Sequence, residues 1–151
     1  MIEWGKADPS DPLPTIQFGS FWPTIDGEKF RALYRIPAEL PNESITAQLR
    51  LAGLTICRQL AAWKSRQTAA NITEIDQPEA DGIGALTLFF ERAVFCEAKA
   101  EILRETVTVD RRKEAENSAK SGAETEEKYR EFAADAIAAI RGNNRIYVEL
   151  I

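Results

Sequence analysis

Three stretches of this chain repeat apolar residues every three or four positions, and that period constrains the fold most tightly. Leu49, Ala52, Gly53, Ile56, Leu60 and Trp63 form one stripe. Leu86, Phe89, Phe90, Ala93, Cys96 (or Glu97), Ala100 and Leu103 form a second. Tyr129, Phe132, Ala133, Ala136, Ile137 and Ile140 form a third. Such stripes suit helices that bury one face; strands would alternate with period two. The expected class is all-α, a helical bundle of about four helices, one short and three long. At 151 residues and 44% hydrophobic, the chain has enough material for one core.

The segments between the stripes read as breaks. Pro9, Pro12, Pro14 and Pro23 disfavour helix at themselves and at the residue before each, so residues 1–24 read as an extended arm. Ile25 to Tyr34 reads as a short helix capped by Asp26 and ended by Pro37 and Pro41. A long helix follows, from the cap candidates Asn42, Ser44 and Thr46 to near Thr68. Gly53 costs about 1 kcal/mol against Ala inside a helix and marks an expected close helix–helix approach. Asn71 to Gly84 reads as a linker. The next helix is expected from Ala85 to Arg104, closed by the β-branched run Glu105 to Asp110. The last is expected from Arg111 to Arg141, with Gly142 just past its end. Its first half, Arg111 to Lys128, holds no large apolar residue and must project into solvent, bridge subunits or line something polar. The expected division is an arm over 1–24, a helical domain over 25–142 and a docking strand over 143–151. The core candidates are Leu49, Ile56, Cys57, Leu60, Trp63, Leu86, Phe90, Cys96, Leu103, Phe132, Ile137 and Ile140.

The two ends are unusual. Arg145, Ile146, Tyr147, Val148, Glu149, Leu150 and Ile151 make an apolar, β-branched tail. Such a C-terminal β-strand can add to a small sheet of its own or to the edge of a partner's sheet; a helical domain offers it few strands to pair with, which favours the partner. The arm carries Trp4, Phe18, Phe21 and Trp22, whereas disordered arms are poor in aromatics. Two placements fit: Phe18 to Trp22 pack on the chain's own core, or the arm laps a neighbouring copy. These four are the candidates for subunit–subunit contact.

The chemistry on offer is narrow. The chain has no His, which removes the commonest general base and the usual zinc ligand. Cys57 and Cys96 sit within apolar stripes and read as small buried hydrophobes in a reducing compartment. Glu91, Glu97, Glu101 and Glu105 recur along the third helix and read as a solvated face balanced by Arg92, Lys99 and Arg104. No metal, cofactor or catalytic residue is expected, and no enzyme. The net charge of −5 argues against gripping nucleic acid by its phosphates. Arg111-Arg112-Lys113 is the one basic triplet, and Trp4, Trp22 and Trp63 are not interleaved with cations as a stacking groove requires. No stretch approaches a membrane span, and residues 1–14 lack the apolar run of a signal peptide. On these residues alone, a small helical regulatory or scaffold protein that binds a host partner through its apolar termini is an alternative reading. A carboxylate enzyme is another.

A resemblance narrows the choice. In order along the chain come Phe21-Trp22-Pro23, Phe30-Arg31, the Leu49 to Trp63 helix ending Leu60-Ala61-Ala62-Trp63, and Glu91-Arg92-Ala93-Val94-Phe95-Cys96. Tyr129-Arg130, Ala136-Ile137 and Val148-Glu149-Leu150-Ile151 complete the series. This combination resembles the head completion (head stabilisation) proteins of contractile-tailed temperate phages, the GPL family, over about Phe18 to Ile151. The resemblance implies a head–tail connector that binds the portal protein after DNA packaging and stabilises the filled head. It implies self-association in a ring of about twelve copies, closed by head-to-tail contacts. The ring would receive the next neck or tail-terminator protein and pass packaged DNA without sequence-specific contacts or any membrane. About twelve copies at −5 each would make a collar of roughly −60, which repels DNA and lets it slide. The implied location is the virion neck, after synthesis in the host bacterial cytoplasm. The tail, Arg145 to Ile151, is the expected portal-docking element.

Overall fold

The computed structural model describes residues 11–75, 84–109 and 125–142, without the side chains of 107–109. These residues are mostly helical. The order is β1 (Thr15–Ile16), β2 (Ile25–Asp26), α1 (Gly27–Leu33), α2 (Asn42–Gln59), α3 (Ala61–Ala69), α4 (Ala85–Val109) and α5 (Glu126–Arg141). α4 is central, packed against α5 and α2. β1 and β2 pair antiparallel, with Thr15 opposite Asp26 and Ile16 opposite Ile25.

Local chemistry sets the helix starts and stops. The Asp26 carboxylate accepts from the Glu28 and Lys29 amides and opens α1, as its sequence position implies. Thr125 opens α5 by accepting from the Lys128 amide. Gly142 closes α5 in the left-handed region at φ 77°, where a side chain would be strained. α2 follows Pro41, with no side-chain cap. Asn42 turns its side chain elsewhere: it accepts from Arg31 and donates to the Asp11 carbonyl at 2.9 Å.

Several expected boundaries move. The helix expected to run to Thr68 is two helices, because Leu60 leaves helical geometry at φ −96°, ψ 6°. Leu60 is fully buried there, and just beyond it Trp63 turns into the core. α4 does not stop at Arg104 but continues to Val109. The Thr106 hydroxyl donates back to the Ile102 and Leu103 carbonyls at 3.0 Å. β-branched residues cost only a few tenths of a kcal/mol each in a helix, too little to end one that is packed. The expected continuous helix from Arg111 is interrupted, since Thr125 is extended at φ −112°, ψ 155°. Asp110, Arg111-Arg112-Lys113 and the rest of the polar stretch to residue 124 lie outside the described residues.

The core holds Leu49, Ile56, Leu60, Trp63, Phe90, Cys96, Ile137 and Ile140 from the expected set. Cys57, Leu86, Leu103 and Phe132 are only half-buried. Cys57 and Leu86 pack at the core's margin, and the Arg92 guanidinium lies 5.1 Å from the centroid of the Phe132 ring. The core also draws on residues outside the helical stripes: Leu13, Ile16, Phe21, Trp22, Ile25 and Ile75.

Candidate functional site

The N-terminal segment is part of the body. Trp22 stacks on Phe90, with ring centroids 4.8 Å apart and planes 13° from parallel, and on Trp63 at 6.3 Å. Phe21 meets Trp22 edge-on at 4.8 Å, and its carbonyl accepts from the Ile75 amide at 3.0 Å. Offset and edge-on aromatic pairs add about 0.5–1.5 kcal/mol each beyond burial. Phe21 and Trp22 are each 5% exposed, so these two side chains take the own-core placement. A side chain buried in its own core presents little to a neighbour. Phe18 is half-buried with its ring over Gly53; a Cβ there would run into that ring. The close approach expected at Gly53 is therefore real, but the neighbour is Phe18 and not another helix. Trp4 lies outside the described residues, as does the whole tail Arg145, Ile146, Tyr147, Val148, Glu149, Leu150 and Ile151.

The acidic residues of α4 are not a merely solvated face. Arg130 of α5 binds Glu97 at 3.0 Å, Glu101 at 2.6 Å and Glu126 at 2.8 Å, and so ties α5 to α4. Its hydrogen bond to Glu101 holds that carboxyl below its ordinary range and pushes the guanidinium's own pKa further up. Glu91 pairs with Lys29 of α1 at 2.9 Å, and Glu105 accepts from Gln48 of α2 at 2.6 Å. Lys99 was expected to balance that face but is 4% exposed. Its ammonium donates to the Arg35 carbonyl at 3.4 Å and lies 6.0 Å from the Tyr129 ring centroid. Apart from Glu126, which stands four residues before Arg130 on the same helix, sequence spacing reveals none of these partners, because they come from different parts of the chain.

The two thiols differ. Cys96 is buried and lies 3.7 Å from the Tyr34 hydroxyl; burial raises the pKa of both groups. Cys57 is half-buried, and desolvation pushes its thiol up to about 11. Neither is poised as a nucleophile. Among the described residues no group of His, Cys, Asp or Glu could hold a metal ion. No helix there is long and apolar enough to cross a membrane.

What remains is surface for binding. Leu51 and Leu54 are more than half exposed on the side of α2 opposite Leu49, Ala52 and Ile56. Leu33, Leu88 and Phe89 are exposed around a groove of about 260 Å³ between α1 and α4, floored by Tyr34 and Phe95. The signal was present for Leu51 and Leu54, which fall off the buried stripe of their own helix.

The sequence model for phage head completion protein (GPL) matches residues 16–151. The probable head completion/stabilization protein of Haemophilus phage HP1 (strain HP1c1) is 34% identical over 100 residues, covering 64% of this chain and 67% of that relative. No solved structure matches significantly.

Proposed function

This chain belongs to the phage head completion (GPL) family, and from that premise we propose that it binds the portal after DNA packaging and stabilises the filled head. Its role thus lies in phage head assembly and its place is with the virion; the family is a structural one. About twelve copies close into a ring by head-to-tail contacts and present a surface to the next neck or tail-terminator protein. The match over residues 16–151 carries this reading, since it takes in both the helical body and the tail. Arg145 to Ile151 is the portal-docking strand. The Leu51–Leu54 ridge and the Leu33–Leu88–Phe89 groove share no residue, as the two halves of a head-to-tail contact require.

Cryo-electron microscopy of DNA-filled, tailless heads with and without added protein tests the proposal. New ring density beneath the portal is expected. Its absence, with the added protein folded, rejects the connector role. Removing residues 147–151 should abolish portal binding, and unchanged binding would sink the docking role of the tail. The L51E/L54E pair should stay folded as a monomer, since both side chains already face water, and should fail to complete the ring.

A further inference from the structure

A cleft of about 600 Å³ opens beside the N-terminal segment, within the usual size range of ligand sites. Phe18 and Ala61, with the buried Trp22 behind them, give it an apolar wall, Arg58 and Lys64 line it with positive charge, and Cys57 is among its lining residues. Its described lining holds no acidic residue, and neither Arg58 nor Lys64 has a carboxylate partner among the described residues. The cleft thus matches a segment that is mostly apolar and carries a carboxylate.

The last described helix ends at its rim. Arg141, the last residue of α5, donates from its guanidinium to the Gln59 carbonyl. Gln59 stands between Arg58 and Ala61, both of which line the cleft. The backbone then turns at Gly142. Nine residues follow, 143–151, which reach about 30 Å when extended. They include Tyr147, Val148, Leu150 and Ile151, with Glu149 as their one acidic side chain and Arg145, four residues earlier and nearer the end of α5, as their one basic one.

We propose that in the free protein the cleft receives the chain's own C-terminal tail, with apolar side chains against Phe18 and Ala61 and Glu149 facing Arg58 and Lys64. This rests on the reading of the tail as the portal-docking strand, and it makes docking competitive: the portal must draw the tail out of the cleft. A held tail weakens apparent portal affinity by the fraction of molecules in which it is free.

Cys57 reports on the cleft. The test compares its alkylation by iodoacetamide at pH 8 in the full chain and in a chain ending at Gly142. Cys96, buried in both, serves as the folding reference together with helical circular dichroism. Cys57 should react about tenfold faster without the tail, as a cover closed about nine-tenths of the time implies. A synthetic peptide of residues 143–151 should restore the slow rate. In R58E/K64E the full and shortened chains should react alike, because the charges that hold Glu149 are reversed. Equal rates for the two lengths of the unsubstituted chain would overturn the proposal. Protection that grows with protein concentration would also overturn it, assigning the cleft to the tail of a second copy. Portal binding separates this failure from that of the docking reading. R58E/K64E keeps its tail and should bind the portal no more weakly than the unsubstituted chain. If the shortened chain loses portal binding while Cys57 reacts equally in both lengths, the cleft proposal falls and docking stands. If Cys57 is protected but the shortened chain still binds the portal, docking falls.

Discussion

α4 is held in two different ways along its length. Near its start, Phe90 stacks on Trp22, which stacks on Trp63, in a seam without charge. Further on, Glu97 and Glu101 meet α5 through Arg130 in a partly exposed charged seam. The apolar seam draws its stability from area removed from water, and neither moderate salt nor pH acts on it directly. The charged seam depends on both. The firmer seam is the one that fastens the N-terminal segment to the helices. The more adjustable one flanks the buried contact that Ala133, Ala136, Ile137 and Ile140 of α5 make in the core, and α5 is the helix that precedes the tail.

The comparison can be broken most severely at the apolar seam. Phe90→Ala should destabilise the fold by about 3–5 kcal/mol in denaturant titration, a large fraction of a typical domain's stability, and the loss should be the same in 1 M salt. Next in size is Gly53→Val, which drives a side chain into the Phe18 ring; about 1–3 kcal/mol should be lost, with Trp22 fluorescence changed as the segment shifts. At the charged seam Arg130→Gln should cost roughly 1 kcal/mol at low salt, since the side chain is 36% exposed and water screens each pair. That cost should shrink in 1 M salt, and a salt-independent loss would mean that Arg130 acts by packing alone.

The smallest expected effect is that of pH. The folded Glu101 carboxyl is held below its ordinary 4.5, chiefly by the hydrogen bond from Arg130. A carboxyl with a lowered folded pKa adds stability above the unfolded value and loses it as pH falls through the folded one. Melting temperatures should therefore fall more steeply below pH 4.5 in the unsubstituted chain than in Glu101→Gln. Parallel curves for the two would remove Glu101 from the acid response.

The sequence by itself determined the helical class, the Asp26 cap, the Gly142 stop and most of the buried stripe residues. These depend on residues within one or two turns of each other: a period, a carboxylate near free amides, a left-handed position that suits glycine. Composition marked the two apolar ends as segments that should not be left loose; Phe21 and Trp22 pack on the chain's own core, and the tail's docking role is a proposal. Tertiary structure decided what long-range contacts decide. It placed Phe21 and Trp22 in the chain's own core, set Phe18 over Gly53, and interrupted the second helix at Leu60. It gathered Glu97, Glu101 and Glu126 on Arg130, and it put the exit of α5 beside the cationic cleft. In most of these pairs the partners are tens of residues apart along the chain, so no local pattern encodes them. They arise only when the helices pack and buried polar groups must find partners.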